Sequence, residues 1–115
     1  MKMIFSSLPE FEKEYKRLSK KIPSLESDLE NFRKFIVGVD FENNKRFILL
    51  KKNDEKGIRI IKTRLMVRSM KGSSKTRIIF CFCIRGNHIE FLEIYMKNEK
   101  DREDTDRIER YLKDR

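Results

Sequence analysis

The sequence predicts an α+β fold, a helical hairpin laid on an antiparallel sheet, and three observations predict it. Apolar residues recur at steps of three and four up to residue 37, and β-branched and aromatic runs take over from residue 47. The connections between those runs are too short for parallel crossovers. A chain of 115 residues has room for one core, so a single domain over residues 1–115 is expected.

The elements follow in order. Met3 to Phe5 suit a short first strand. Ser7 with Glu10 reads as a capping box, and Leu8, Phe11, Tyr15 and Leu18 then recur at helical spacing, giving a first helix over about residues 8 to 21. Pro23 suits the start of a second helix that carries Leu25, Leu29, Phe32 and Ile36, and Gly38 suits its end. Strands are predicted over Phe47 to Leu50, Ile58 to Arg68, Thr76 to Arg85 and Ile89 to Met96. Turns fall at 53–57, 70–75 and 85–88. Residues 38 to 57 stay open, either an extra hairpin or an extended arm. Thr105 can cap a final helix with Ile108, Tyr111 and Leu112 on its apolar face. The expected architecture is an N-terminal helical hairpin packed on a 3-4 stranded antiparallel sheet, with a C-terminal helix and all helices on one sheet face.

Charge narrows the function classes. Lys and Arg number 28 against 19 Asp and Glu, an excess of +9 that attracts nucleic acid, an anionic membrane or an acidic protein. No segment approaches the length of a membrane-spanning helix, and the opening MKMIFSSLPEF lacks the apolar run of a secretory signal, so a cytoplasmic location is expected. The excess is concentrated: residues 57–98 carry nine bases and two acids, and no acid occurs from Gly57 to Ile89. Such a stretch lacks local counter-ions.

Strand alternation then places the cations. Lys62, Arg64, Met66 and Arg68 share one face, while Ile61, Thr63, Leu65 and Val67 face the core. Thr76, Ile78, Phe80, Phe82 and Ile84 form a second core row, leaving Arg77 on the side of Lys62 and Arg64. In the last strand, Leu92, Ile94 and Met96 fall on one side and Phe91, Glu93, Tyr95 and Lys97 on the other, where Tyr95 and Lys97 join the basic face. Outward cations on a strand usually serve solubility, but an acid-free cluster of them points to a polyanion.

Other chemistry finds less support. Cys81 and Cys83, two residues apart on a strand, read as reduced structural thiols, and with His88 they make a poor metal set; no metal or cofactor is expected. His88 follows Arg85, Gly86 and Asn87 in a turn and reads as solvated, not as a general base. The pairs Glu10 with Glu14 and Asp101 with Asp104 read as solvated faces, which disfavours a two-carboxylate nuclease.

The run IKTRLMVRSMKGSSKTRIIFCFCI, followed by HIEFLEIYMKNEKDREDTDRIERYL, resembles the RelE/ParE toxin superfamily, most closely its HigB-like branch, over about residues 60 to 112. The residues that carry the likeness are the K-x-R pair Lys62 and Arg64, the turn from Lys71 to Lys75, the strand Arg77 to Phe80, and above all I-Y-M-K-N-E-K at Ile94 to Lys100. The chain departs from the family pattern in a longer segment before Lys62 and in a final helix not opened by tyrosine.

The resemblance implies a RelE-like toxin of a type II toxin-antitoxin system. Its expected activity is metal-independent endoribonuclease cleavage of mRNA, as an mRNA interferase working on the ribosome near the A-site 16S rRNA and inhibiting translation. The implied partner is an acidic cognate antitoxin, with no membrane involved. Lys62, Arg64, Arg77 and Lys97 are the implied catalytic set: the guanidinium groups grip the scissile phosphate, and Lys62 and Lys97 are proton-transfer candidates because crowding among like charges favours a neutral amine. Arg68, Lys71, Lys75, Tyr95 and Lys100 are the candidates for holding RNA. Two other classes stay open, a ParE-like toxin that inhibits a topoisomerase without cleavage and a basic RNA-binding domain without catalysis.

Overall fold

A computed structural model describes residues 2–69 and 75–115. The expected turn around Lys71 falls among residues 70–74, outside the described residues. Strand β1, Ile4–Ser7, leads into helix α1, Pro9–Ser19, and helix α2, Leu25–Ile36. A single 3-10 turn, Phe41–Asn43, precedes strands β2, Ile48–Asn53, β3, Ile58–Leu65, β4, Thr76–Cys83, and β5, His88–Met96. Helix α3, Thr105–Lys113, closes the order. The α+β class read from the sequence is the observed one, but the sheet is five-stranded and mixed where 3-4 antiparallel strands were expected.

Local chemistry differs from expectation at the helix starts. Leu8 is the residue flanking α1, with Pro9 in the first turn and no side-chain cap, because Ser7 donates its hydroxyl to Glu12 and not to the backbone. Asp104, not Thr105, caps α3: its Oδ1 accepts from the Arg107 N–H at 3.0 Å. Residues 38–57 resolve into the 3-10 turn and an edge strand. Asp40 anchors that turn by accepting from the Glu42 N–H at 3.2 Å, and Phe41 within it and Phe47 beyond it are buried.

The five strands lie in the order β1-β5-β4-β3-β2. The meander β2 to β5 is antiparallel, as short connections require, while β1 pairs with β5 in parallel because the whole intervening chain separates them. Strands β4 and β5 are out of simple alternation. Ile79 faces Glu93 but Phe80 faces Phe91, so Leu92 is an extra residue bulged into β5. The period-two expectation for β5 fails there. Ile89, Phe91, Ile94 and Met96 pack in the layer under α1 and α2, whereas Leu92 and Tyr95 join the other face.

Two apolar layers sandwich the sheet. Between the helical hairpin and the sheet, the Phe80 ring is ringed by Phe32, Phe41, Phe47 and Phe91 with centroids 5.4 to 6.4 Å away, a range typical of attractive edge contacts. On the reverse face, Ile108 and Tyr111 of α3 cover Ile58, Ile60, Ile79, Cys81 and Leu92. The expectation of helices on one face only is therefore corrected. The outward rows of β3 and β4 are themselves apolar at Ile58, Ile60, Ile79 and Cys81, and α3 is what removes them from water.

Candidate active site

The reverse face stays open only beyond the reach of α3. There β3 and β4 carry Arg64 directly opposite Arg77, and Arg77 lies directly opposite Tyr95 on β5. Two residues along β3, Lys62 is opposite Ile79 on β4 and Ile48 on β2. Lys97 follows the end of β5 and is held by a 2.6 Å bond from its N–H to the Lys75 carbonyl. Lys62, Arg64, Arg77, Tyr95 and Lys97 line one cleft of about 520 Å³.

Lys45 and Arg46 complete the rim, and sequence reading missed both. The segment Asn43 to Arg46 has no periodicity to assign it, although its adjacent basic pair was a usable signal. Arg46 is locked in place: its Nη2 donates to the Arg64 carbonyl at 3.2 Å, its guanidinium lies 4.9 Å over the Phe35 ring, and its own carbonyl accepts from the Thr63 hydroxyl at 2.9 Å. Six cations thus reach the cleft from β3, β4, the end of β5 and the segment before β2.

The stretch carries no counter-ions of its own, as its sequence shows, but part of it finds them elsewhere in the chain. Lys62 Nζ lies 2.8 Å from Glu103, Arg59 pairs with Asp54 at 2.7 Å, and Arg68 Nε lies 3.2 Å from the buried Asp28. Each acid comes from outside residues 57–89. For Arg64, Lys97 and Lys45 there is no carboxylate within 4 Å among the described residues. Arg77 is half-buried, and its Nη1 donates toward the Thr76 carbonyl at 3.5 Å.

Electrostatics also revises the proposed roles of Lys62 and Tyr95. Burial opposes charge on Lys62, but the hydrogen bond to Glu103 and the neighbouring Tyr95 phenol outweigh it, so its pKa stands above the ordinary lysine value. Crowding does not make Lys62 a neutral base. Tyr95 is only 4 % exposed, and its hydroxyl is buried with no hydrogen-bond partner among the described residues. Burial raises its pKa further than Lys62 pulls it down, so the phenol keeps its proton.

The remaining candidates divide. Arg68 does not line the cleft; besides Asp28 it holds the Ser27 hydroxyl at 2.7 Å, tying β3's end to α2. Lys100 is engaged by Glu93 and sits 5.3 Å from the Tyr95 ring centroid, behind the cleft. Lys75 is exposed, with its carbonyl bonded to the Lys97 N–H, and Lys71 lies outside the described residues. His88 opens β5, at the opposite end from Lys97, and its Nε2 lies 2.7 Å from the Ser6 hydroxyl; it is half-buried, not the solvated turn residue expected. Glu14, expected on a solvated face, instead takes both ends of the Arg107 guanidinium at 2.9 and 2.8 Å.

A second cleft of equal size, about 520 Å³, lies between α1 and α2, but Glu12, Glu26 and Glu30 line it against Arg33 alone. Its sign repels phosphate.

No protein-family model matches the sequence, and no curated protein matches it either. Among solved structures, a chain in the crystal structure of the archaeal RelE-RelB complex from Pyrococcus horikoshii OT3 superimposes with a TM-score of 0.61, covering 84 % of this chain and 97 % of that one at 15 % identity. The fold is RelE-like. The cationic cleft lies where β3 and β5 end and β4 begins, and the sequence resemblance and the backbone agree on the fold at an identity too low to carry more.

Proposed function

We propose that this chain, as one domain, is the toxin of a type II toxin-antitoxin pair and cleaves mRNA by a metal-independent reaction on the ribosome. The observation that carries the reading is the convergence of Lys62 and Arg64 from β3, Arg77 from β4 and Lys97 from just beyond β5 onto one cleft. Arg64 and Arg77 are placed directly opposite one another on β3 and β4, where a shared anion is attracted by both. A phosphodiester supplies that anion, and the guanidinium forks match its oxygens.

In the reaction, the ribose 2′-oxygen forms a bond to phosphorus as the bond to the 5′-oxygen breaks. Arg64 and Arg77 neutralise the charge that grows on the non-bridging oxygens. Lys62, whose charged form is favoured by Glu103, adds to that field in this reading. Lys97, exposed and without a carboxylate partner among the described residues, takes the 2′-hydroxyl proton as its free amine in this reading, and the departing 5′-oxygen takes a proton from solvent water. Lys45, Lys75 and Arg46 hold the flanking backbone. That the RelE-like neighbour was solved as a complex with RelB supports an antitoxin partner, acidic by complementarity to this surface. The HigB-like assignment and a cytoplasmic site of action rest on the sequence motifs and the ribosomal substrate.

Purified protein incubated with translating ribosomes, with and without chelator, tests the reading directly. Discrete new transcript ends that survive chelation and vanish in Arg77→Ala are expected. Growth arrest by filamentation with intact transcripts would point instead to topoisomerase inhibition, and RNA binding without product bands to a non-catalytic domain; either sinks the nuclease.

A further inference from the structure

We infer that Glu103, in the segment leading into α3, is a positioning residue that fixes the Lys62 ammonium in the cleft, an inference that rests on the nuclease reading above. The two side chains meet at 2.8 Å across 41 residues of sequence, with only 21 % of Lys62 and 11 % of Glu103 exposed. Glu103 does not line the cleft. It lies behind Lys62, in a separate hollow shared with Leu50, Lys51, Thr105 and Ile108. The carboxylate is therefore placed to hold the lysine from the rear and not to touch RNA.

The physical need for such a holder is clear from what surrounds Lys62. Arg64 on its own strand, Arg77 on β4, Lys97 beyond β5, and Lys45 and Arg46 before β2 line the same cleft and are all cationic. Tyr95 on β5 keeps its proton, Lys51 on β2 shares the hollow behind, and Glu109 on α3 is exposed there. The other buried acid of this face, Glu93, is occupied by Lys100 and by the Asp104 N–H at 2.8 Å. A lysine has a flexible four-carbon stem and a strongly hydrated head, so among five like charges it would swing into water or shed its proton. Glu103 opposes both outcomes. Without it, burial and the neighbouring cations would favour the neutral amine, and Lys62 would deprotonate at lower pH.

The experiment compares wild type, Glu103→Gln and Glu103→Asp in the ribosomal cleavage assay across pH, beside titration of Lys62 by NMR with labelled lysine and a Lys62→Arg assignment control. Glu103→Gln is expected to lower kcat about 10- to 100-fold with little change in KM. Its alkaline limb and the Lys62 titration should both move to lower pH, and Glu103→Asp should recover part of the loss. A Glu103→Gln enzyme with wild-type kcat and an unmoved Lys62 titration overturns the inference while leaving the nuclease reading intact. If wild type cuts nothing, the nuclease reading fails, and the Lys62 titration alone decides whether Glu103 holds that charge.

Discussion

The two ends of the β5 strand treat charge in opposite ways. Around the bulge and under α3, every buried ionic group has a partner: Arg107 takes Glu14 and the Leu92 carbonyl, Glu93 takes Lys100 and the Asp104 N–H, and Glu90 takes the Tyr111 hydroxyl at 2.7 Å and Arg115 at 2.6 Å. About 15 Å of strand away from the bulge by ordinary rise, where Lys97 follows β5, Arg64, Lys97 and Lys45 face the same open space with no carboxylate in range among the described residues. One chain solves its electrostatics at one end and leaves it unsolved at the other. Like charges held together by a folded scaffold are an expense of stability that persists where an anionic ligand offsets it.

That contrast is most sharply tested at the open end. Arg77→Ala should cut cleavage by about 100- to 1,000-fold, the loss typical when one preorganised donor to a developing oxyanion is removed, while circular dichroism shows the fold retained. A variant that cleaves at the wild-type rate would mean the cleft is not where the chemistry happens.

At the closed end the same kind of change should strike stability and not activity. Replacing Arg107, only 11 % exposed, by alanine leaves Glu14 without its partner and should cost about 3 kcal/mol in urea denaturation. Replacing Arg107 and Glu14 together by apolar residues should cost less, because no orphan charge remains. Equal losses from the single and double variants would show that packing, not pairing, sets the value of this contact.

Smaller effects sharpen the comparison. Lys45→Ala and Lys97→Ala should each lower the slope of log affinity for RNA against log salt by about one, as expected for a lost phosphate contact. Arg115→Ala, which touches only the closed end, should leave that slope unchanged. Acid titration gives a third measure. Burial would raise the Glu103 pKa, but the hydrogen bond from Lys62 and its charge lower it below the ordinary value of 4.5. The stabilisation it brings is present above that value and is lost as pH falls through the depressed folded one, so a Glu103→Gln protein should lose less stability than wild type on acidification. Last, burial pushes the Cys81 thiol up to about 11, so at neutral pH alkylation should reach the half-exposed Cys83 first, as peptide mapping can read.

Much of the fold was legible because its signals are local. Helical spacing in Leu25, Leu29, Phe32 and Ile36, and β-branched runs such as Ile58 to Leu65, report which side of each element meets the core, and the burial of those side chains follows the reading. The β5 alternation was not legible, since a bulge at Leu92 depends on what Ile79 and Phe80 face across the sheet and leaves no mark in spacing. The four cations at the cleft were legible because strand period fixes a face; Arg46 was not, because Phe35 and the Arg64 carbonyl hold it from distant parts of the chain.

The sequence by itself determined the sum of charges, their density between residues 57 and 98, and the faces on which strand cations must lie. Only the tertiary structure decided which of those cations keep their charge open to a ligand. Composition counts charges, but Coulomb attraction acts over a few ångströms, and it was folding that brought Glu103 to Lys62 and Asp28 to Arg68 while bringing no acid to Arg64 or Lys97 among the described residues.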